Sequence, residues 1–235
     1  MTSSGERRTC VLADVEPAGV GYTLRLRGRP AVTPAGKPLV VPTLALAELL
    51  ASERRGSGTT AGSSKMLATR LAHTAIDSVV SRRDMIIDAF AETAGADVLC
   101  YFAQGPARLA ARQEEAWRPI LRWAAETFEL AFQPTTAIVH GSQPSRTLER
   151  VEAIARARSD FELAGLDMGR GLFGSAILTL ALWTGRLTGH QALDASRIDE
   201  TFQQSRWGVD AEAAAGAQRI AADAIGLEQW FAALR

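Results

Sequence analysis

The chain has 235 residues, of which 47% are hydrophobic and 22% charged, the profile of a folded globular protein with ample material for a core. Basic and acidic residues balance at 26 each and are interspersed, as in "LERVEAIARARSD". No cationic face for a phosphate backbone is expected, which excludes nucleic acid as a partner. The uncharged, strongly apolar run "GLFGSAILTLALWTG" is shorter than the roughly 20 residues of a membrane helix, which excludes membrane insertion and predicts a buried helix.

The first residues and the two cysteines point to one cellular compartment. The polar start "MTSSGERRTC" leaves no room for the apolar stretch of a signal peptide. Cys10 and Cys100 are far apart in apolar runs, which favours buried thiols in a reducing environment over a disulfide. These features predict a cytoplasmic protein.

Residues 1–64 are predicted to form a small β-rich domain that ends in a flexible linker. Tyr22, Leu24 and Leu26 alternate with polar residues, which is typical of a strand with one wet face. The segments "TCVLADV", "RPAVT" and "PLVVPT" add short strands to an antiparallel meander, with "PAGK" as a turn. Thr43 is expected to cap a helix, "LALAELLASERR", that covers this sheet, and "RGSGTTAGSS" has the composition of a linker.

Residues 65–235 are predicted to form a helical bundle, so the fold class is α+β. Apolar residues at 3-4 spacing recur in this half, for example Trp117, Ile120, Ala124 and Phe128 in a helix that Pro106 opens. We expect Pro119 to kink or interrupt that helix. The strand-like "TTAIVH" is a candidate to return to the N-terminal sheet, and an alanine-rich stripe runs from Ala213 to Leu234 in the last helix.

Enzyme signatures are weak throughout the chain. "GRGLFG" matches G-x-G-x-x-G, but a helical pattern precedes it where a dinucleotide site needs a strand, and "GTTAGSSK" lacks the Gly-Lys-Ser/Thr of a phosphate loop. His73 and Asp77 share the spacing of two metal ligands without a third, so a helix-surface pair is the favoured interpretation. His140 and Ser142 share a loop with no assigned acid. No catalytic residue, cofactor or metal is predicted.

The stretch "RIDETFQQSRWGVDAEAAA" collects polar groups around a predicted helix end. Ile198 and Phe202 form an apolar i, i+4 pair that turns the polar residues to the opposite side, and Gly208 is a natural helix terminator. Two interpretations stay open. The polar residues either only end one helix and start the next, or they form a protein-binding edge that uses a tryptophan and ordered carboxylates. The candidate partner-binding residues are Asp199, Glu200, Gln203, Trp207, Asp210 and Glu212.

Four segments appear in the order and spacing of a known family: "LRGRPAVTPAGKPLVVPT", "TRLAHTAID", "DVLCYFAQGPARLAARQEEAWRPILRW" and "RIDETFQQSRWGVDAEA". From about residue 10 to the C-terminus the chain resembles the F1-ATPase assembly chaperones that bind the alpha subunit of ATP synthase. The most specific matches are the "LCY" at 99–101, Gln113 with Trp117, Pro119 and Trp123, and the candidate residues above. The chain departs from the family pattern at Arg27, Arg54, Leu67 and Phe102.

The resemblance implies a β-rich N-terminal part followed by an orthogonal helical bundle, without enzymatic activity or a cofactor. It also implies a chaperone of the bacterial cytoplasm, expected to be monomeric when free, which shields the interface of free alpha subunit until beta replaces it, without ATP hydrolysis. Two alternatives stay open. One is a hydrolase or transferase that uses Asp199 and Asp210 as acid and base, and the other is a helical scaffold for an unrelated partner.

Overall fold

The structure is a computed structural model that describes residues 13–57, 66–136, 141–207 and 211–235. A small antiparallel sheet with a covering helix precedes a helical bundle, which confirms the predicted α+β class. The helices are α1 (Leu44–Ser57), α2 (Leu67–Thr74), α3 (Val80–Gly95), α4 (Ala107–Phe128), α5 (Ser145–Arg156), α6 (Asp160–Phe173), α7 (Ala176–Trp183), α8 (Gly189–Ser196), α9 (Ile198–Trp207) and α10 (Ala211–Leu234).

The sheet is built around one central strand. β2 (Gly21–Leu26) pairs antiparallel with β1 (Ala13–Ala18) along one edge, while β3 (Arg29–Pro30) and β4 (Val40–Val41) follow each other along its other edge. The predicted solvent-exposed face is wrong at Thr23, which is buried and donates its hydroxyl to the carbonyl of Leu39 at 2.8 Å. A polar side chain therefore enters this core with its hydrogen bond satisfied.

Helix α1 covers the sheet as predicted. The Thr43 hydroxyl accepts the Leu46 N–H at 3.1 Å, which confirms the predicted cap, and the apolar face of α1 packs on β1 and β2 through buried residues such as Leu50. The helix continues to Ser57, so the first residues of the predicted linker are helical, and residues 58–65 lie outside the described residues.

Polar contacts join the sheet and α1 to the helices that follow. The Glu53 carboxylate accepts the N–H groups of Ala68 and Thr69, both at 2.8 Å, and so caps α2 from outside that helix. Asp77, predicted to pair with His73 on a helix surface, accepts the Thr33 hydroxyl at 2.7 Å. Burial and Arg54 lower the pKa of His73, and the charge of Asp77 opposes that shift, so the two side chains do act on each other. The boundary between residues 64 and 65 stays a prediction.

A single π-helical turn over Ala75–Val79 joins α2 to α3. Further along, α4 runs through Pro119 without interruption, and Trp117, Ile120 and Ala124 are buried on its inner face as predicted. The segment "TTAIVH" does not reach the sheet at Thr135, which forms a parallel bridge with Tyr101 instead. Residues 137–140 of that segment, including His140, lie outside the described residues.

The centre of the bundle is α7, which is buried from Ala176 to Leu182 as the uncharged run predicts. The helix before it, α6, contains "GRGLFG", and Gly169 of this motif lies against Thr179, which confirms close helix packing there. The predicted stripe of α10 is buried at Ala224, Leu227 and Phe231, whereas Ala217 is exposed. At Ala217 the stripe thus lies outside the core.

Candidate functional site

Helix α9 contains the first half of the candidate stretch and has one buried face and one exposed face. Ile198 is 3% exposed and Phe202 is half-buried against the core, while Glu200 and Gln203 are exposed. This is the division that the apolar pair predicts for these four residues. Asp199 is the exception, because it is half-buried rather than part of the exposed face.

Asp199 is held by a buried glutamine of α4. Its Oδ1 accepts a hydrogen bond from Nε2 of Gln113 at 2.7 Å, and Oε1 of Gln113 accepts the Ala103 N–H at 2.7 Å. Gln113 is 1% exposed, so both ends of its amide are used away from water. Burial raises the pKa of Asp199, and the hydrogen bond from Gln113 opposes that shift. Gln113 therefore joins α4, the loop before it and the first turn of α9.

A second link fixes the residues just before α9. The indole N–H of Trp117, a fully buried residue, donates to the carbonyl of Ala195 in α8 at 2.8 Å. Phe102 packs edge-on against Trp117, with ring centroids 5.3 Å apart. The motif positions Gln113 and Trp117 thus act as supports beneath α9 rather than as exposed contacts.

The exposed face of α9 is polar and weakly constrained. Glu200 accepts a hydrogen bond from Arg197 at 2.9 Å, and its side chain is 57% exposed. An exposed pair of this kind contributes little to folding. Trp207 is the last residue of α9 and Glu212 lies in the first turn of α10, with side chains that the structure does not describe. Asp210 and Gly208 lie outside the described residues.

A groove of about 590 Å³ opens between the start of α4 and α9. Among the described residues, Pro106, Arg108, Arg112, Phe202 and Ser205 line it. No group of three or more His, Cys, Asp or Glu side chains that could hold a metal occurs within the described ranges. The same ranges contain no helix that is both long and apolar enough to cross a bilayer.

Comparisons with known proteins show which family shares this sequence and fold. The family model for the ATP12 chaperone protein matches residues 8–125. The crystal structure of Atp12 from Paracoccus denitrificans is 32% identical, with a TM-score of 0.89 over 97% of this chain and 98% of that one. This chain belongs to the ATP12 chaperone family. The chain is also similar to a point mutant of the P. denitrificans Atp12p, with 32% identity and a TM-score of 0.89 over 95% of each chain. It is similar as well to the Atu1473 protein of Agrobacterium tumefaciens, with 31% identity and a TM-score of 0.90 over 97% of this chain and 86% of that one.

Membership of the ATP12 family confirms the F1-ATPase assembly chaperone family that the sequence motifs indicate. The "LCY" motif of the family starts within a short 3-10 turn, Val98–Cys100, in which Leu99 and Cys100 are buried. Burial raises the pKa of the Cys100 thiol to about 12, which fits the predicted buried thiol. Leu99 and Cys100 of this motif are therefore core residues.

Asp97, directly before that turn, is a buried residue that sequence reasoning missed. It is fully buried, and its carboxylate accepts the N–H groups of Leu99 at 3.1 Å and of Ile177, at the start of α7, at 3.0 Å. Burial raises the pKa of Asp97 to about 6, although its hydrogen bonds act in the opposite direction. An acidic residue directly before a run of apolar residues is the one signal in the sequence that could have found it.

Two of the four departures from the family pattern, Leu67 and Phe102, are absorbed by this chain's packing. Arg27 has a φ of +52° and forms the β2–β3 turn with Gly28, a conformation in which Asp or Asn is more favourable than Arg. Leu67 is buried beside Gly226, and Phe102 is buried beneath Arg118, whose guanidinium lies 4.8 Å from its ring centre. Leu67 and Phe102 are thus core residues.

Proposed function

We propose that this ATP12 family member is a chaperone for assembly of the F1 sector of ATP synthase, which binds free alpha subunit and shields it until beta takes its place. The observation that carries the proposal is the match to Atp12 over almost the whole of both chains. A free alpha subunit exposes an interface that belongs against beta, and exposed obligate interfaces aggregate. A protein that covers this surface and later exchanges for beta needs specific contacts and no fuel.

The proposed contact surface is the corner formed by α9 and the start of α10. Glu200 and Gln203 are exposed there, and the helix beneath them is anchored by the Gln113 bridge to Asp199. A supported helix loses little conformational freedom when a partner binds, which favours specific recognition. The residues proposed to contribute to this surface are Asp199, Glu200, Gln203, Trp207, Asp210 and Glu212.

Light scattering of refolding F1 alpha subunit tests the proposal. The wild-type protein is expected to suppress aggregation without nucleotide. Glu200→Lys is expected to weaken that protection strongly, because it replaces an interface charge with one of opposite sign. The matched control is Glu152→Lys in α5, which removes a similar exposed pair, with Arg156 at 2.7 Å, far along the chain from α9.

Three results would contradict the proposal. Aggregation that proceeds unchanged with the wild-type protein would exclude alpha as a client. Protection that appears only with ATP would exclude a passive mechanism. Equal protection by Glu200→Lys and Glu152→Lys would place the contact surface away from Glu200 while leaving the client identity intact.

A further inference from the structure

The groove between α4 and α9 presents two arginines that bind no other described residue. Arg108 and Arg112 are one turn apart on α4, both are exposed, and both line the groove. Neither makes a hydrogen bond or an ion pair with another residue in the described ranges, whereas Arg118, on the next turns of the same helix, binds Glu114. Phe202 and Pro106 contribute apolar surface beside them.

An arginine whose guanidinium has no partner can bind an incoming carboxylate. Its planar group donates two parallel hydrogen bonds to a carboxylate, with a geometry that lysine cannot supply. Two such groups at i, i+4 on one helix face suit two acidic side chains of a bound segment. The charge of the groove therefore favours an acidic ligand.

A second cleft, of about 490 Å³, shares Arg112 with this groove and extends along α4. Its walls include the apolar residues Ala116, Pro119, Ile120, Leu187 and Ile198. Its charged groups are mixed in sign, because Arg186 lies there with Glu115 and Asp194. The combined surface is therefore basic near Arg108 and Arg112, while towards Pro119 it combines apolar walls with charges of both signs.

The length of this surface limits what can occupy it. From Arg108 to Pro119 the helix rises about 16 Å, at 1.5 Å per residue. An extended segment covers that distance with about five residues. The groove is also lined by Ser205, an exposed residue of α9 that lies two positions after the exposed Gln203. The surface therefore borders the proposed contact surface for alpha.

We infer that this surface binds an extended segment of the client chain, with two carboxylates seated on Arg108 and Arg112 and large apolar side chains against Ile120 and Leu187. The inference rests on the proposed function for the identity of the client. It adds the chemistry of the recognised segment, acidic at one end and apolar at the other. The α9 corner and this surface then form one footprint, which includes the exposed Glu200 and the exposed Arg108 and Arg112.

Synthetic peptides test the surface without any client protein. The probe is an acetylated decapeptide with two glutamates followed by leucine and phenylalanine, and its comparison peptide carries glutamines in place of the glutamates. Fluorescence anisotropy is expected to show at least tenfold tighter binding of the acidic probe, with a loss of affinity as salt is raised. Arg108→Glu with Arg112→Glu is expected to remove that preference.

The matched control is Arg122→Glu, an exposed arginine of α4 that lines neither cleft, and it should change the affinity less than twofold. The inference is overturned if wild-type protein binds the glutamine peptide as tightly as the acidic one, or if the double reversal and Arg122→Glu have equal effects. Circular dichroism of both variants checks that they are folded.

The alpha-subunit assay then separates this inference from the proposed function. If Glu200→Lys and the double reversal both lose protection of alpha, the result supports both the proposed function and the role of the two arginines. Loss in Glu200→Lys alone overturns the role of the arginines and leaves the proposed function standing. If wild-type protein binds the acidic peptide but does not protect alpha, the proposed function fails while the chemistry of the groove holds.

Discussion

Two helix contacts in this protein are built in opposite ways. Where α8 meets α10, a Cβ placed on Gly189 would lie 2.4 Å from the Ala224 carbonyl oxygen, so the two backbones touch. Where α4 meets α9, the link is the Gln113 side chain, which reaches Asp199 at 2.7 Å. The first contact admits no added atom. The second keeps α9 in place while its outer face stays free, which is the arrangement that a binding surface needs.

The largest effect is expected at the backbone contact. Gly189→Ala would force α8 away from α10, because the obstacle is a carbonyl rather than a flexible side chain. It would also disturb the 2.7 Å hydrogen bond from the Gly189 N–H to Glu228. A loss of about 2–3 kcal/mol in the free energy of unfolding is expected, measured by urea denaturation.

Gly171→Ala is the control for that substitution, since nothing lies within 4 Å of its added Cβ and it sits inside α6. It should be neutral or stabilise by up to about 1 kcal/mol, through helix propensity. Equal stability of Gly189→Ala and wild type would show that α8 and α10 are not in backbone contact.

Asp97 tests a third kind of link, a buried carboxylate that ties the "LCY" turn to α7. Asp97→Asn would turn an amide N–H towards a backbone N–H, so a loss of about 1–3 kcal/mol in unfolding free energy at pH 7 is expected. If the variant matched wild type in a thermal melt, these hydrogen bonds would not contribute to folding.

The pH dependence of Asp97 has a definite sign. Its pKa is raised from 3.8 to about 6, so the folded state holds the proton more tightly than the unfolded state. The contribution of protonated Asp97 to the free energy of unfolding is complete below about pH 4. It is lost as the pH rises through 6, which lowers the free energy of unfolding by roughly 3 kcal/mol. The stability difference between wild type and Asp97→Asn should therefore shrink from pH 4 to pH 7. A difference that grows over this range would contradict the raised pKa.

A smaller effect is expected at the α4–α9 bridge. Gln113→Glu sets a second carboxylate against Asp199, so a loss of about 1–2 kcal/mol is expected at pH 7. The loss should diminish in acid, because the pKa of Asp199 is already raised and protonation of either group removes the repulsion. Gln203→Glu makes the same change on the exposed face of α9 and should leave the urea midpoint unchanged. Equal responses of the two variants would show that Gln113 does not bridge the helices.

The smallest effect on folding is expected on the outer face of α9. Glu200→Lys removes only an exposed pair with Arg197, so the free energy of unfolding should change by less than about 0.5 kcal/mol. Differential scanning calorimetry measures this directly. A large drop in melting temperature would mean that Glu200 supports the fold, and the contrast between the two faces of α9 would be lost.

Local patterns in the sequence predicted most of the elements. The Thr43 cap, the buried α7 and the inward turn of Ile198 and Phe202 all follow from spacings within a few residues, because a helix places i, i+3 and i+4 on one face. The candidate site was predicted in part by the same reasoning, since Glu200 is exposed as expected. The division into domains and the partner-binding role of the six residues remain predictions.

The sequence by itself determined the class of fold, the family and the exposed side of α9, since composition, periodicity and motif order are properties of the chain alone. Only the tertiary structure decided which polar residues turn inward. Thr23, Asp97 and Asp199 have partners that are distant in sequence, Leu39, Ile177 and Gln113, and no local period encodes such pairs. A polar group enters a core where its hydrogen bonds are satisfied, and for these three residues a partner is distant in sequence, so their burial is a property of the assembled fold.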